Sequence, residues 1–307
     1  MKKYKNSRRS AVKQMLVAGA GMALAPQLGF GSRTSSALAE AAPNPAPPAE
    51  KINMKGNIKH SVCRWTYGFL PLDELCAQAK SIGISAIDLV GPKEWDTLKK
   101  YGLDSSMCNG AEINLTDGFC HTQYHNTLEK NYADMIPLVA KAGYKNLICF
   151  SGNRKGLDDE TGLKNSVAGL KRVIGLAEKH GVVLTMELLN SRVDHTDYMC
   201  DRSAWGIELV KRLGSSNFKL LFDIYHMQID EGDIIRSIQN NHEYFGHYHT
   251  GGNPGRHEID ETQELYYPAI MKAIVATKFK GYVAQEFIPS APDKIASLRK
   301  AVELCDV

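Results

Sequence analysis

Val182-Val183-Leu184-Thr185-Met186-Glu187-Leu188 is a short apolar run of strand type. A segment at helical spacing follows over 202–213, and Gly214 stands where that helix must stop. Lys219-Leu220-Leu221-Phe222-Asp223 is then a second strand-type run. Read outward from this pair, the same unit recurs along the chain. Strand-type runs also fall at 58–63, 85–90, 103–108, 147–150, 245–249 and 282–287. Helical candidates lie near 71–82, 94–101, 128–142, 161–180, 230–240, 267–277 and 292–304, and Gly83, Gly102, Gly143 and Gly181 join Gly214 at expected helix ends. Eight strand–helix units in about 250 residues predict one (β/α)8 barrel, an α/β fold of the TIM type. The rival, a doubly wound open sheet, calls for Gly-x-Gly-x-x-Gly after its first strand, and this sequence has none.

The 307 residues are 43% hydrophobic and 23% charged, which excludes collagenous, disordered and polytopic membrane chains. The net charge of +3 is unevenly spread. Residues 1–39 hold seven Lys and Arg and no acid, so 30 basic residues face 34 acidic ones in the remainder, a balance near −4. That remainder lacks the basic footprint of a nucleic-acid binder. The leader runs through Ser7-Arg8-Arg9-Ser10-Ala11-Val12-Lys13 into a weakly apolar stretch broken by Gly19, Gly21, Pro26 and Gln27. It is too short and too interrupted for a stable membrane anchor, and Ala37-Leu38-Ala39 offers small residues for cleavage. It resembles a twin-arginine signal peptide, which implies export of a folded protein to the periplasm. Residues 40–56, rich in Ala and Pro, read as a linker, which leaves 57–307 as the barrel.

Seven cysteines stand singly, without a CxxC pair, and are expected as small buried hydrophobes rather than a disulfide framework. The chemistry lies elsewhere, because sites in this fold gather at the carboxyl ends of the strands. Strand five ends on Glu187 and continues to Asn190; strand six ends Asp223-Ile224-Tyr225-His226. Strand seven carries His247 and His249, and strand eight carries Glu286. Singly, each has an ordinary explanation: a helix cap, a turn former, a satisfied core histidine, a salt-bridge partner. Together, such groups at one end of four successive strands are costly to bury unless a cation joins them. Glu187, Asp223, His249 and Glu286 are therefore the expected ligands of a divalent metal. A sulfur-free N/O set favours Mn²⁺ or Mg²⁺, with Co²⁺ and Zn²⁺ admissible. His247 and His249 are expected on opposite faces of their strand, with His249, nearer its end, as the ligand. Trp65, after strand one, reads equally as pocket wall or core, and the polar loop 109–124 is long enough for a lid.

The series Glu187, Asp223-Ile224-Tyr225-His226, His249 and Glu286, with Pro254-Gly255-Arg256-His257-Glu258 after strand seven, resembles the xylose isomerase-like barrel superfamily. Within it, the chain is most similar to hydroxypyruvate isomerases and ketose 3-epimerases, over roughly residues 57–305. Hydroxypyruvate isomerases tend to carry Gln where this chain has His249, whereas His is nearer the epimerases. The resemblance implies a metal-dependent isomerase or epimerase of a small hydroxy-carbonyl compound. Glu187 and Glu286 would bind the metal and move the proton through an enediolate; Asp223 and His249 would complete the coordination. His226 would meet a substrate oxygen or orient Asp223, and Arg256 would grip a substrate carboxylate or stand as a solvated loop cation. Asn190, His257 and Trp65 are further candidate substrate contacts. The alternatives are a lyase or epimerase of oxidised sugars such as keto-glycosides, an endonuclease IV-like repair enzyme, and a non-catalytic sugar-binding barrel. The repair enzyme would need three metals and a basic face, and the binding barrel would have little use for two flanking glutamates. A small-molecule partner is expected and nucleic acid is not; a homo-oligomer is left open.

Overall fold

Eight parallel strands close into one barrel in chain order. They are β1 (Lys59–Cys63), β2 (Ala86–Val90), β3 (Asp104–Cys108), β4 (Asn146–Cys149), β5 (Val183–Glu187), β6 (Phe218–Asp223), β7 (Phe245–Thr250) and β8 (Tyr282–Gln285). This computed structural model describes residues 52–307; the leader expected over 1–39 and most of the linker expected over 40–56 lie outside the described residues. Each strand is covered by helices outside and by its neighbours' side chains within, so the strands read as nearly continuous buried runs. Residues 52–56 have no regular structure, but Ile52 and Met54 pack on the core and the Lys55 N–H donates to Asp306 Oδ2 at 2.6 Å.

Helices Leu72–Ile82, His125–Ala142 and Ser203–Leu213 form where helical spacing predicts them, and left-handed glycines end them. Two expectations need correction. The helix expected over 161–180 is two, Asp159–Leu170 and Ile174–His180. Its ladder tightens where Arg172 N–H bonds to Gly169 O (3.1 Å) and Val173 N–H to Leu170 O (3.0 Å), each three residues back. The helix expected over 230–240 is Ile234–Asn241, preceded by an additional one, Ile224–Asp230. Asp223 caps that additional helix, its Oδ1 accepting from the N–H groups of Tyr225 (2.8 Å) and His226 (3.2 Å). His226 thus sits in a helical first turn instead of prolonging the strand.

The loop 109–124 is not free along its length. The Phe119 and Cys120 N–H groups donate to Phe150 O and Ser151 O at 3.2 and 2.8 Å, and both residues are buried. All seven cysteines are buried and unpaired. Among the described residues no helix is long and apolar enough to cross a membrane.

Candidate metal centre and active site

Parallel pairing sets Asp223 directly opposite His249, and the Glu286 N–H donates to Thr250 O at 3.1 Å, which holds that carboxylate at the same level. His249 Nδ1 lies 2.9 Å from Glu286 Oε2, 3.4 Å from Glu187 Oε1 and 4.0 Å from Asp223 Oδ2. All four side chains are buried, and one ligand atom from each falls within 4.8 Å of the others. The structure thus brings the four expected ligands together. His247 corrects the facing expectation: residues two apart share a strand face, and both rings reach Asp88 inside the barrel.

The donor set fits a divalent cation. His249 Nε2 stands 3.0 Å from Asp88 Oδ1, which can only accept when ionised, so that nitrogen carries the hydrogen. The Nδ1 lone pair then faces three carboxylates. Among the described residues, neither Nδ1 nor Glu187 Oε1 has a hydrogen-bond partner. Buried acceptors facing one another are stable only around positive charge. Burial, joined by repulsion from Glu286, pushes the Glu187 carboxyl up and Asp223 well above its usual range. Burial acts in the same sense on Glu286, yet Arg256 and His249 beside it hold that carboxyl well below. His249 is drawn well above the usual histidine range, against its burial, by Glu286 and other neighbours. The four side chains could therefore hold a proton or a metal ion between them.

An aromatic clamp flanks these ligands. Trp65 is half exposed, not in the core, and donates from Nε1 to Glu286 Oε1 at 2.8 Å. The Arg256 guanidinium lies 5.2 Å from the Trp65 ring and 5.4 Å from that of Tyr225. Its Nη2 bonds to Glu286 Oε2 and lies 3.4 Å from Asp223 Oδ2, so it is no solvated loop cation. Arg256 takes a left-handed φ of 60°, fixed by its N–H on Gly252 O (2.7 Å) and its carbonyl on the Ile288 N–H (2.6 Å). A Cβ at Gly252 would come within 2.1 Å of Glu258 O, so only glycine permits this turn.

The remaining candidates divide. His226 is buried with Nδ1 2.6 Å from Asn190 Nδ2, and its Nε2 lies 3.6 Å from Asp223 Oδ2 without a hydrogen-bond partner. Asn190 Nδ2 serves Asp194 Oδ2 and His226, and its Oδ1 accepts from Val193 and Asp194 N–H groups, so its polar atoms are engaged within the chain. His257 is exposed with Nδ1 3.0 Å from Ile288 O, and is not brought into the cluster. Three residues joining the site carried no separate expectation: Asp88, Tyr225, and His195, whose ring centre lies 5.2 Å from that of His226 at a tilt of 60°. For Tyr225 the signal was its place beside Asp223 at a strand end.

Residues 76–305 match the family described as xylose isomerase-like TIM barrel. A 2-oxo-tetronate isomerase of Cupriavidus necator is 34% identical over 115 residues, 38% of this chain and 44% of that protein. The hydroxypyruvate isomerase of Escherichia coli is 25% identical over 234 residues, 73% of this chain and 89% of its own length. The chain spans less than half the length of the first curated relatives it matches. Ketose epimerases also occur among the relatives. A solved structure described as AP endonuclease, family 2, from Brucella melitensis superposes with a TM-score of 0.71 at 22% identity, covering 78% of this chain and 96% of that one. At that identity the likeness is one of fold alone. With its closed eight-stranded barrel and a family match over most of its length, the chain belongs to the xylose isomerase-like TIM barrel family.

Proposed function

We propose that the protein is a metal-dependent isomerase or epimerase of a small hydroxy-carbonyl compound, of the hydroxypyruvate isomerase kind. One observation carries this reading: Glu187 and Glu286 come from β5 and the end of β8 and converge on one point, with His249 Nδ1 3.4 and 2.9 Å from their oxygens. Moving a proton beside a carbonyl needs a base at one carbon and an acid at the neighbouring position, and two glutamates approaching from different strands supply that pair. A divalent cation held by Glu187, Asp223, His249 and Glu286 would polarise the carbonyl and ease charge development on its oxygen. Mn²⁺ or Mg²⁺ suits this oxygen-rich set. His226 Nε2, without a hydrogen-bond partner among the described residues, would donate to a substrate oxygen. The Arg256 Nε–H also lacks a partner, so an edge of the clamped guanidinium remains for a substrate carboxylate. A ketose epimerase is the second reading, favoured by His249 as the nitrogen ligand.

Deuterium wash-in from D₂O tests the reading. With Mn²⁺ present, the protein should exchange hydrogen beside the carbonyl of hydroxypyruvate, a ketohexose or a keto-glycoside. No exchange with any of them, metal bound, overturns it. We infer further that the folded protein is exported by the twin-arginine route to the periplasm, on the strength of the Arg8-Arg9 pair. Replacing both by Lys should retain it in the cytoplasm, and unchanged periplasmic delivery removes that inference.

A further inference from the structure

Beneath the ligand cluster, the interior of the first half of the barrel holds one fully buried carboxylate, Asp88 of β2. Among the described residues, the basic groups at ion-pair distance from it are the rings of His247 and His249. The pairing of β2 with β3 shifts register on both sides of Asp88, and the next residue, Leu89, has a φ of 55°. A bulge with a strained neighbour is a device for re-aiming one side chain, and such devices cluster at functional sites. Here it aims a carboxylate at a metal-ligand histidine.

The hydrogen bonds fix their own direction. Ser106 Oγ donates to Asp88 Oδ2 at 2.6 Å, and Ser61 Oγ, 2.5 Å behind Ser106 Oγ, must then be the donor in that pair. Cys63 Sγ donates to Oδ1 at 3.5 Å, and His247 Nε2 approaches Oδ2 to 2.8 Å off the line of a hydrogen bond. A carboxylate so surrounded only accepts, so the hydrogen between His249 and Asp88 belongs to Nε2. The opposite tautomer would turn the Nε2 lone pair on an Asp88 oxygen that also only accepts, and would leave no lone pair on Nδ1 for a cation.

We propose that Asp88 is a positioning residue of the metal centre, which fixes His249 with its hydrogen on Nε2 and reserves Nδ1 for the ion. The proposal rests on the reading of Glu187, Asp223, His249 and Glu286 as metal ligands. It does not depend on what the substrate is. Ser106, Cys63 and Ser61 act behind it by keeping both Asp88 oxygens in acceptor roles.

The test is Mn²⁺ affinity of the full chain without substrate, read from the resonance of free Mn²⁺. Asp88→Asn keeps the volume but replaces one acceptor by an NH₂, so affinity should fall about 10–100-fold. Ser106→Ala leaves both carboxylate oxygens and should cost less affinity than Asp88→Asn. Full Mn²⁺ affinity in Asp88→Asn overturns the proposal and leaves the metal centre standing; no Mn²⁺ binding by the wild-type chain overturns both. Should Asp88→Asn fail to fold, the wild-type protein decides. With nitrogen-labelled histidine, the His249 ring should carry a hydrogen on Nε2 with and without metal. A ring protonated at Nδ1 alone overturns the proposal.

Discussion

The two halves of the barrel bury acidic groups in opposite ways. β1 to β4 bury Asp88, with hydrogen-bond donors or histidine rings against both of its oxygens. β5 to β8 and the residue after them bury Glu187, Asp223 and Glu286, which face one another across a histidine lone pair. Ionisation follows the partners each carboxyl has, and Glu286, against Arg256 and His249, is held well below its usual range as Asp88 is. Burial works to raise Asp88, but His247 and His249 hold it well below the usual carboxylate range, whereas burial and Glu286 drive Asp223 well above. Burial alone therefore does not mark a site. What marks it is that donors fall short of acceptors: Asp223 and Glu286 have some, Glu187 Oε1 and His249 Nδ1 have none among the described residues, and a cluster so short of donors has room for an outside cation.

The largest effect should come from the donor-poor half. Glu187→Gln and Glu286→Gln keep an oxygen ligand and nearly the same volume but remove the base. Turnover should fall about 10²–10⁴-fold in each, while metal content measured on the same samples falls ~10-fold or less in affinity. If one variant still exchanges substrate hydrogen with D₂O without forming product, the other glutamate is the first base. Near-normal turnover in both, metal bound, would dismiss the two-carboxylate mechanism and leave the donor-poor cluster as a binding site only.

Metal removal comes next in size. Chelation should lower the melting temperature and Mn²⁺ should restore it, by about 2.7 kcal/mol at a hundredfold excess over Kd. Asp223→Ala should lose that response. It should also start lower, by about 1 kcal/mol, because Asp223 caps the helix Ile224–Asp230. The quantity to compare is thus the metal-dependent shift within each protein. A full metal complement in Asp223→Ala would refute the ligand assignment.

The donor-poor half was legible in the sequence because one rule, that strand ends carry the site, picks out Glu187, Asp223, His249 and Glu286 together. Helix ends were legible through their glycines. Asp88 was not, because it stands inside the apolar run Ala86-Ile87-Asp88-Leu89-Val90, and its facing is set by a bulge that no local residue announces. Tyr225 and His195 carried no signal as site walls because their contacts, with Arg256 and His226, join the helix after β6 to loops distant in sequence. The helix after Asp223 did leave a sign, an Asp at its cap, which strand periodicity overrode. Asn190, a polar residue beyond a strand end, links its own loop at Asp194 and Val193 to the His226 ring, a contact that spacing along the chain does not reveal.

The smallest effect tests whether the donor rule extends to a carboxylate outside the interior. Glu258 accepts from the Ser290 N–H (2.8 Å) and Oγ (2.6 Å), the Ala291 N–H (2.9 Å) and Ser297 Oγ (3.1 Å), tying the loop after β7 to the segment after Glu286. Some burial opposes its charge, but the Ala291 N–H and the Ser290 hydroxyl hold its carboxyl down at about 2, against an ordinary 4.5. A depressed carboxyl contributes stability that is complete above the unfolded value and is lost as pH falls through the folded one. Allowing for solvent screening, that contribution is about 1–2 kcal/mol. Glu258→Gln removes it. In urea unfolding of the chelated protein, the gap between wild type and Glu258→Gln should be widest near neutral pH and close between 4.5 and about 2. A gap that stays constant through that window would mean Glu258 contributes shape and not charge, and the donor rule would then hold only where water is excluded.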